Sequence, residues 1–433
     1  MSLGNQMPGL GTRPGAQHPY GAALAVLASV FFMWGFATVL NDILVPHLKS
    51  VFQLNYGESL LIQFIFYLAY FVTSLPWAKV LERIGYKHSV VFGLIIMATG
   101  ALLFVPAAKF VNFPLFLGAL FVLASGITLL QVAANPYVAV IGPPETSSSR
   151  LNLVQAFNSF GTTVAPIFGG ILILSRSTTG TSAESAAITL DERMADAQSV
   201  IFPYLIIAFI LFALGAVIWR IRLPDVAPEH RRAAAEERKK DSLWRHPNLV
   251  LGVPAIFIYL IAEIGIGSLL VNYIALPSVG AMTHADAANY LALFWGGAMV
   301  GRFIGSFLMR WIKPETMLAA VSIGAFLLTL TSISTTGALA MWSIILVGLC
   351  HSIMFPTIFT LAIKGLGSLT EEGSGYLIMA IAGGALAMLQ GILADTIGLK
   401  LSMLLPAACY VYVLFYAIWG CRVAEEKPAA ALT

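Results

Sequence analysis

Apolar runs of about twenty residues recur along almost the whole chain, separated by short polar turns. A helix rises about 1.5 Å per residue and the hydrocarbon core of a bilayer is about 30 Å thick, so each run is long enough to cross it. Twelve runs can be marked. They lie near 21–47, 58–80, 88–108, 112–141, 151–174 and 200–221, then 248–276, 287–310, 315–334, 338–364, 374–396 and 400–421. Composition agrees: 58% of the 433 residues are hydrophobic and 10% are charged, where a soluble domain carries about 25% charged residues. The expectation is an all-α membrane protein of twelve transmembrane helices, with the lipid bilayer as its main surroundings. Composition excludes a water-soluble enzyme, a disordered chain and a disulfide scaffold. A net charge of +3 is too small to call for nucleic acid. Cys350, Cys409 and Cys421 stand in apolar runs without metal-ligand spacing, so neither a metal nor a disulfide is expected.

The chain divides into a loose tail (1–20), six spans (21–222), a charged linker (223–247), six more spans (248–422) and a short tail (423–433). The tail ahead of the first span carries Arg13 alone among charged residues and lacks the layout of a cleavable signal peptide. The linker reads as a solvated connection with a surface helix, with a regulatory docking segment as the other reading. With the first end inside, nineteen of the 24 Lys and Arg fall on the cytoplasmic side, and Lys49, Lys109, Arg176, Arg193 and Lys400 fall outside. By the positive-inside rule both termini are then cytoplasmic. Arg302 is assigned to the cytoplasmic end of span eight, and no Lys or Arg is expected deep in a span. The halves also repeat. Pro136 and Pro356 are 220 residues apart; Gly170 and Gly391, and likewise Asp42 and Glu263, are 221 apart. A constant offset marks an internal duplication.

Of 21 acidic residues, nineteen fall in tails, loops or helix ends. The other two, Asp42 and Glu263, lie deep in spans one and seven. A carboxylate in the middle of a bilayer costs at least about 2.5–3.5 kcal/mol, so such residues face the interior and are functional candidates. Asp42 reads as a proton carrier, against the alternative of an acid that braces the bundle through a basic partner. Glu263 reads as a second titrating group or an acceptor for a ligand hydroxyl. Gln131 and Asn135 share one face of span four, and Asn152, Gln155 and Asn158 form a row on span five. Single amides often serve as interhelical glue, but five on adjacent helices favour a polar cavity. Amides donate and accept, which suits a polyhydroxylated ligand. Asn272 and Tyr273 on span seven, Asn41 beside Asp42, and His351 on span ten are further candidates, His351 more as a structural residue. Trp34, Tyr67, Tyr70 and Trp295 read one by one as packing.

At these residues the chain resembles the fucose permease family of the major facilitator superfamily, the fucose/galactose/glucose:proton symporters. The matching stretches are LNDILVPHLK around Asp42, AANPYVAVIGP after Gln131, RLNLVQAFNSFG from Arg150, PTIFTLAIKGLG from Pro356 and GILAD ending at Asp395. The resemblance implies two six-helix pseudo-symmetric bundles, a proton-translocating role for Asp42 and sugar contacts at Gln155 and Asn158. It departs from the fucose type at Gln131, where a glutamate is usual, and at Val39, where an asparagine is. The stretch AEIGIGSLLVNYI with Glu263 is closer to the glucose/galactose branch. Met388 stands where the family pattern has proline.

The function expected is proton-coupled symport of a hexose such as glucose or galactose, with Asp42 and Glu263 coupling and Asn41, Gln131, Asn135, Gln155, Asn158, Glu263, Asn272 and Tyr273 binding. N-acetylglucosamine or fucose as the sugar, a uniporter, or a polytopic membrane enzyme are the alternatives. No HExxH, GxSxG or phosphate loop supports an enzyme. No cofactor is expected beyond the proton. The resemblance places the protein in a bacterial inner membrane, acting as a monomer.

Overall fold

The computed structural model describes residues 19–52, 56–172, 198, 201–224 and 241–423. Within these, the side chains at 19, 40–52, 56–60, 166–167, 169–172 and 285 lie outside the description, and Asn41 and Asp42 are among them. So do most of the first tail, the central part of the linker and most of the last tail.

The described chain is almost wholly helical. In order come α1 (Pro19–Phe52), α2 (Tyr56–Lys109), α3 (Phe113–Val140), α4 (Ser147–Leu172), α5 (Ile201–Arg220), α6 (Pro247–Ala275), α7 (His284–Leu308) and α8 (Pro314–Ser334). Span ten is split into α9 (Gly337–His351) and α10 (Met354–Ile363), and span eleven into α11 (Thr370–Met379) and α12 (Met388–Ile397). A short α13 (Leu399–Ser402) and α14 (Leu404–Phe415) form the last span.

Ten described helical stretches are long and apolar enough to cross a membrane. One of them, Leu61–Lys109, has 49 residues, about twice a single crossing. It is broken at Gly85, whose φ of 79° and ψ of 171° are non-helical. A positive φ suits glycine, which has no Cβ to clash, and here it separates spans two and three. The remaining span is α4, 26 residues long, which its row of amides makes less apolar than its neighbours. Twelve crossings result, as the sequence implies.

Local chemistry explains the helix starts. Proline occupies the first turn of α3, α6 and α8, where its missing N–H costs nothing. The Asn112 side chain caps α3 by accepting from the Leu115 N–H at 2.9 Å. Pro76, Pro106, Pro136 and Pro254 lie inside helices, as membrane helices tolerate when neighbours satisfy the freed carbonyls. At Pro136 the freed carbonyl is that of Val132, which accepts from Ser374 Oγ at 2.9 Å. Arg150 donates to the Val138, Ala139 and Pro143 carbonyls at 3.1, 2.7 and 2.8 Å, closing orphan acceptors at a helix C-terminus.

Span eleven departs from α geometry without the proline expected at position 388. Residues Ala380–Ala387 form a 3₁₀ stretch ahead of Met388, a geometry that marks hinges or strain within a helix. A close crossing joins α1 and α4. A Cβ placed on Gly161 would lie 2.3 Å from the Phe32 carbonyl oxygen, so α4 meets α1 backbone to backbone.

The halves touch where α3 ends and α4 begins. Ser149 Oγ donates to the Ser306 carbonyl at 2.6 Å, and Ser306 Oγ returns a bond to the Ser149 carbonyl at 2.9 Å. Ser148 and Thr360 share a hydroxyl contact of 2.6 Å. On the other side of the same end, Ser374 Oγ donates to the Val132 carbonyl at 2.9 Å and Tyr86 Oη reaches Glu371 at 3.3 Å.

Candidate functional site

The amides of α3 and α4 are buried and meet one another. Gln131, Asn135, Gln155 and Asn158 are 5%, 0%, 3% and 8% exposed, so each must find partners inside the protein. Gln155 Nε2 donates to Asn135 Oδ1 at 3.3 Å, and Gln131 Nε2 donates to Tyr70 Oη on α2 at 2.6 Å. Among the described residues Asn135 Nδ2 has no partner, a spare donor beside the Gln155 contact. The cluster therefore joins spans two, four and five. Asn158 also ties α4 to α1, where its Nδ2 donates to the Phe31 carbonyl at 2.9 Å. Asn152 sits lower, bonded to the Ser148 carbonyl at 2.9 Å and Thr357 Oγ1 at 3.4 Å, and belongs to the contact between the halves.

A second polar group lies in the other half. Glu263 on α6 is 8% exposed, and Tyr259 precedes it by one turn, within reach of its carboxyl. Tyr259 Oη donates to the His351 carbonyl at 3.0 Å, and His351 Nε2 meets Tyr410 Oη at 2.6 Å. The His351 ring is walled by Tyr259 and Phe294 edges, each at 5.6 Å. Tyr259 has a single hydroxyl proton. Given to the His351 carbonyl, it leaves the phenolic oxygen only as an acceptor for a protonated Glu263. Given to an ionised Glu263, it leaves the carbonyl.

Arg302 on α7 links the two groups. Its Nε donates to the Ser352 carbonyl at 3.0 Å, and its Nη1 donates to the Gln155 carbonyl at 3.3 Å and to Ser159 Oγ. The Ser352 carbonyl that it holds is next in the chain to the His351 carbonyl that accepts from Tyr259. This corrects the expectation that no basic residue lies deep in a span. Arg302 is half-buried six residues before the end of α7, and it points across to α4. The sequence signal is an arginine in the apolar run GAMVGRFIGSFL. Its nearness to the span end makes it read as a loop charge.

The structure does not bring every candidate to this place. Asn272 is exposed, and Tyr273, fully buried, gives its hydroxyl to Ser332 on α8, with contacts of 3.1 Å to the carbonyl and 2.8 Å to Oγ. Both lie about 15 Å along α6 from Glu263. Asp42 and Asn41 ride on α1, but their side chains lie outside the described residues. Trp34 is buried against Phe31, ring centroids 4.4 Å apart, and Trp295 is half-exposed. Tyr70, Ser159, Tyr259, Tyr410 and Arg302 join the polar groups without having been singled out as members of them.

The sequence pattern of the Major Facilitator Superfamily matches residues 23–387. A glucose/galactose transporter of Brucella abortus biovar 1 (strain 9-941) is 51% identical over 414 residues, covering 95% of this chain and 97% of the relative. An L-fucose-proton symporter of Escherichia coli (strain K12) is 34% identical over 421 residues, covering 95% and 96%. Among solved structures, a Major Facilitator Superfamily transporter, FucP, in the outward conformation superposes with a TM-score of 0.81 at 34% identity, covering 92% of this chain and 99% of that one.

Proposed function

The chain belongs to the major facilitator superfamily, and from that premise we propose that it carries a hexose such as glucose or galactose into the cell together with a proton. The observation that carries the proposal is a pair of buried polar groups, Glu263 with Tyr259 in one half and Gln131, Asn135, Gln155 and Asn158 in the other, with Arg302 bonding the Ser352 carbonyl on one side and the Gln155 carbonyl on the other. Amides supply the donors and acceptors that sugar hydroxyls need, and a membrane-buried acid supplies a site for the coupling proton. The likeness to a glucose/galactose transporter and to L-fucose-proton symporters supports both halves of the reading.

In this reading Gln131, Asn135, Gln155 and Asn158 bind the sugar with Glu263 facing them, and Asp42 with Asn41 forms the proton entry on α1. Asn272 and Tyr273 are left to packing. An inward proton supplies about 2.3 kcal/mol per 100 mV of membrane potential, enough to concentrate sugar. The halves rock about the site. The contact at Ser149, Ser306, Ser148 and Thr360 closes the cytoplasmic end in this reading. The excess of Lys and Arg on that side supports two cytoplasmic termini, and the bacterial relatives support the inner membrane. The protein acts as a monomer, with each half supplying part of the site, and uses no cofactor besides the proton.

The test is uptake into proteoliposomes driven by an inside-alkaline pH gradient, over a panel of glucose, galactose, fucose and N-acetylglucosamine. Glucose or galactose should accumulate above the external concentration. Accumulation of fucose or N-acetylglucosamine alone would reassign the sugar, and equilibration without accumulation would make the protein a uniporter.

A further inference from the structure

We propose that Arg302 is the latch that ties the contact between the halves to the protonation state of Glu263. It acts as a positioning residue, not as a sugar ligand. This rests on the reading that a buried carboxyl carries the coupling proton.

The geometry is that of a latch. Arg302 belongs to α7 in the second half, yet Nη1 donates to the Gln155 carbonyl and to Ser159 Oγ on α4 in the first. Nε holds the guanidinium to its own half through the Ser352 carbonyl at 3.0 Å. One rigid fork thus spans the interface, just above the reciprocal Ser149–Ser306 pair. The internal repeat does not duplicate it. The residue 221 positions earlier is Leu81, and the α2 side chains that meet Gly375 of α11 are those of Leu75 and Ala78, all of them apolar.

The charge balance explains how a proton would move the latch. Arg302 keeps its charge throughout, and its bonds across the interface go to neutral oxygens. A guanidinium half-buried among neutral oxygens is costly unless a carboxylate compensates it. The acid placed to do so is Glu263: Tyr259, one turn before it on α6, bonds the His351 carbonyl at 3.0 Å, and Arg302 bonds the next carbonyl along, that of Ser352, at 3.0 Å. The other titratable groups of this network are Tyr259 on the same helix, His351 at the end of α9, whose carbonyl accepts from Tyr259, and Tyr410 on α14, whose hydroxyl meets the His351 ring. The 380–387 stretch packed on α6 offers none. With Glu263 ionised, the cation is compensated and the contact holds. With Glu263 protonated, Arg302 stands uncompensated, the closed contact loses stability and the cytoplasmic end opens. Proton loading is thereby converted into exposure of the site to the inside.

The experiment measures the distance between spin labels at Glu145→Cys and Lys313→Cys, two exposed positions on opposite halves at the closing end, in the full chain lacking Cys350, Cys409 and Cys421 and without sugar. Bonds to a charged donor hold about tenfold or more in an equilibrium. Arg302→Met should therefore shift the ratio of short to long distances roughly tenfold toward long. Ser159→Ala, which leaves Arg302 in place, should shift it in the same direction by less. Glu263→Gln, mimicking the protonated acid, should also lengthen the distance, and adding it to Arg302→Met should change nothing further. A closed distribution that survives Arg302→Met, or a Glu263→Gln shift that persists undiminished without Arg302, overturns the proposal. Because no sugar is present, these outcomes are separate from failure of the symport reading, which the uptake panel reports.

Discussion

Changing Tyr70 to phenylalanine deletes one oxygen and nothing else, and that oxygen accepts from Gln131 Nε2 at 2.6 Å. Both residues are buried, 2% and 5% exposed. Hydrogen bonds between membrane helices average about 0.6 kcal/mol and reach about 1.7. A short bond between two fully dried groups belongs near the upper end, at about 1 to 1.5 kcal/mol. Tyr70→Phe also strands a buried amide donor, which raises its own cost to about 1–3 kcal/mol. Gln131→Met removes both partners' need for each other from the opposite side. In a double-mutant cycle scored by unfolding in detergent, the double variant should therefore be more stable than the sum of the singles predicts, by about 1 to 1.5 kcal/mol. The functional arm follows from orientation. Tyr70 occupies the Gln131 amide nitrogen and leaves Oε1 free to accept from a sugar hydroxyl. Loss of that tether should raise KM for the transported hexose about fivefold to tenfold, or about 1 to 1.4 kcal/mol, with kcat unchanged. Additive stabilities, or an unaltered KM in Tyr70→Phe where Gln131→Met abolishes binding, would refute the claim that Tyr70 aims the amide.

Three further outcomes are expected. Gly161→Ala places a Cβ 2.3 Å from the Phe32 carbonyl oxygen, so α1 and α4 must part by about 1 Å and stability should fall by about 1–3 kcal/mol; Gly21→Ala, with nothing within 4 Å, is the silent control in the same thermal melt. Asp42→Asn should abolish sugar accumulation against a gradient while leaving sugar exchange, and accumulation that persists at the unsubstituted level would remove Asp42 from coupling. Outside the membrane, the His246 hydrogen bond at 2.8 Å holds the Asp241 carboxyl below its usual range. That contact is complete above the unfolded carboxylate value and is lost as pH falls through the lower folded one. Amide exchange at 241–246 should thus rise only on strong acidification, with little change in overall stability because the pair is surface-exposed; Asp241→Asn should erase that pH dependence.

The twelve spans were legible because lipid demands that each crossing be long, apolar and internally bonded, and even the α2 break announces itself as Gly85 between Arg83 and Lys87. The amides Gln131, Asn135, Gln155 and Asn158 were legible for the same reason, since an amide in an apolar run must find a partner. Arg302 was not. A charge near a span end reads as solvated, and what holds it inside is the carbonyl of Gln155 and the hydroxyl of Ser159, supplied by a helix about 150 residues earlier in the chain. Tyr70 escaped likewise, because an aromatic in an apolar run reads as packing and its partner is 61 positions away. Tyr273 shows the converse error. It shares α6 with Glu263, but ten residues are about 2.8 turns, so the two side chains leave the helix in different directions, and Tyr273 meets Ser332 instead.

The central claim is that sugar and proton move together, and an electrode outside lightly buffered proteoliposomes tests it most directly. With the membrane potential clamped at zero and no imposed pH gradient, adding galactose or glucose should alkalinise the external medium as protons enter with the sugar. The signal should vanish in Asp42→Asn. Sugar entry with no change in external pH would contradict the account.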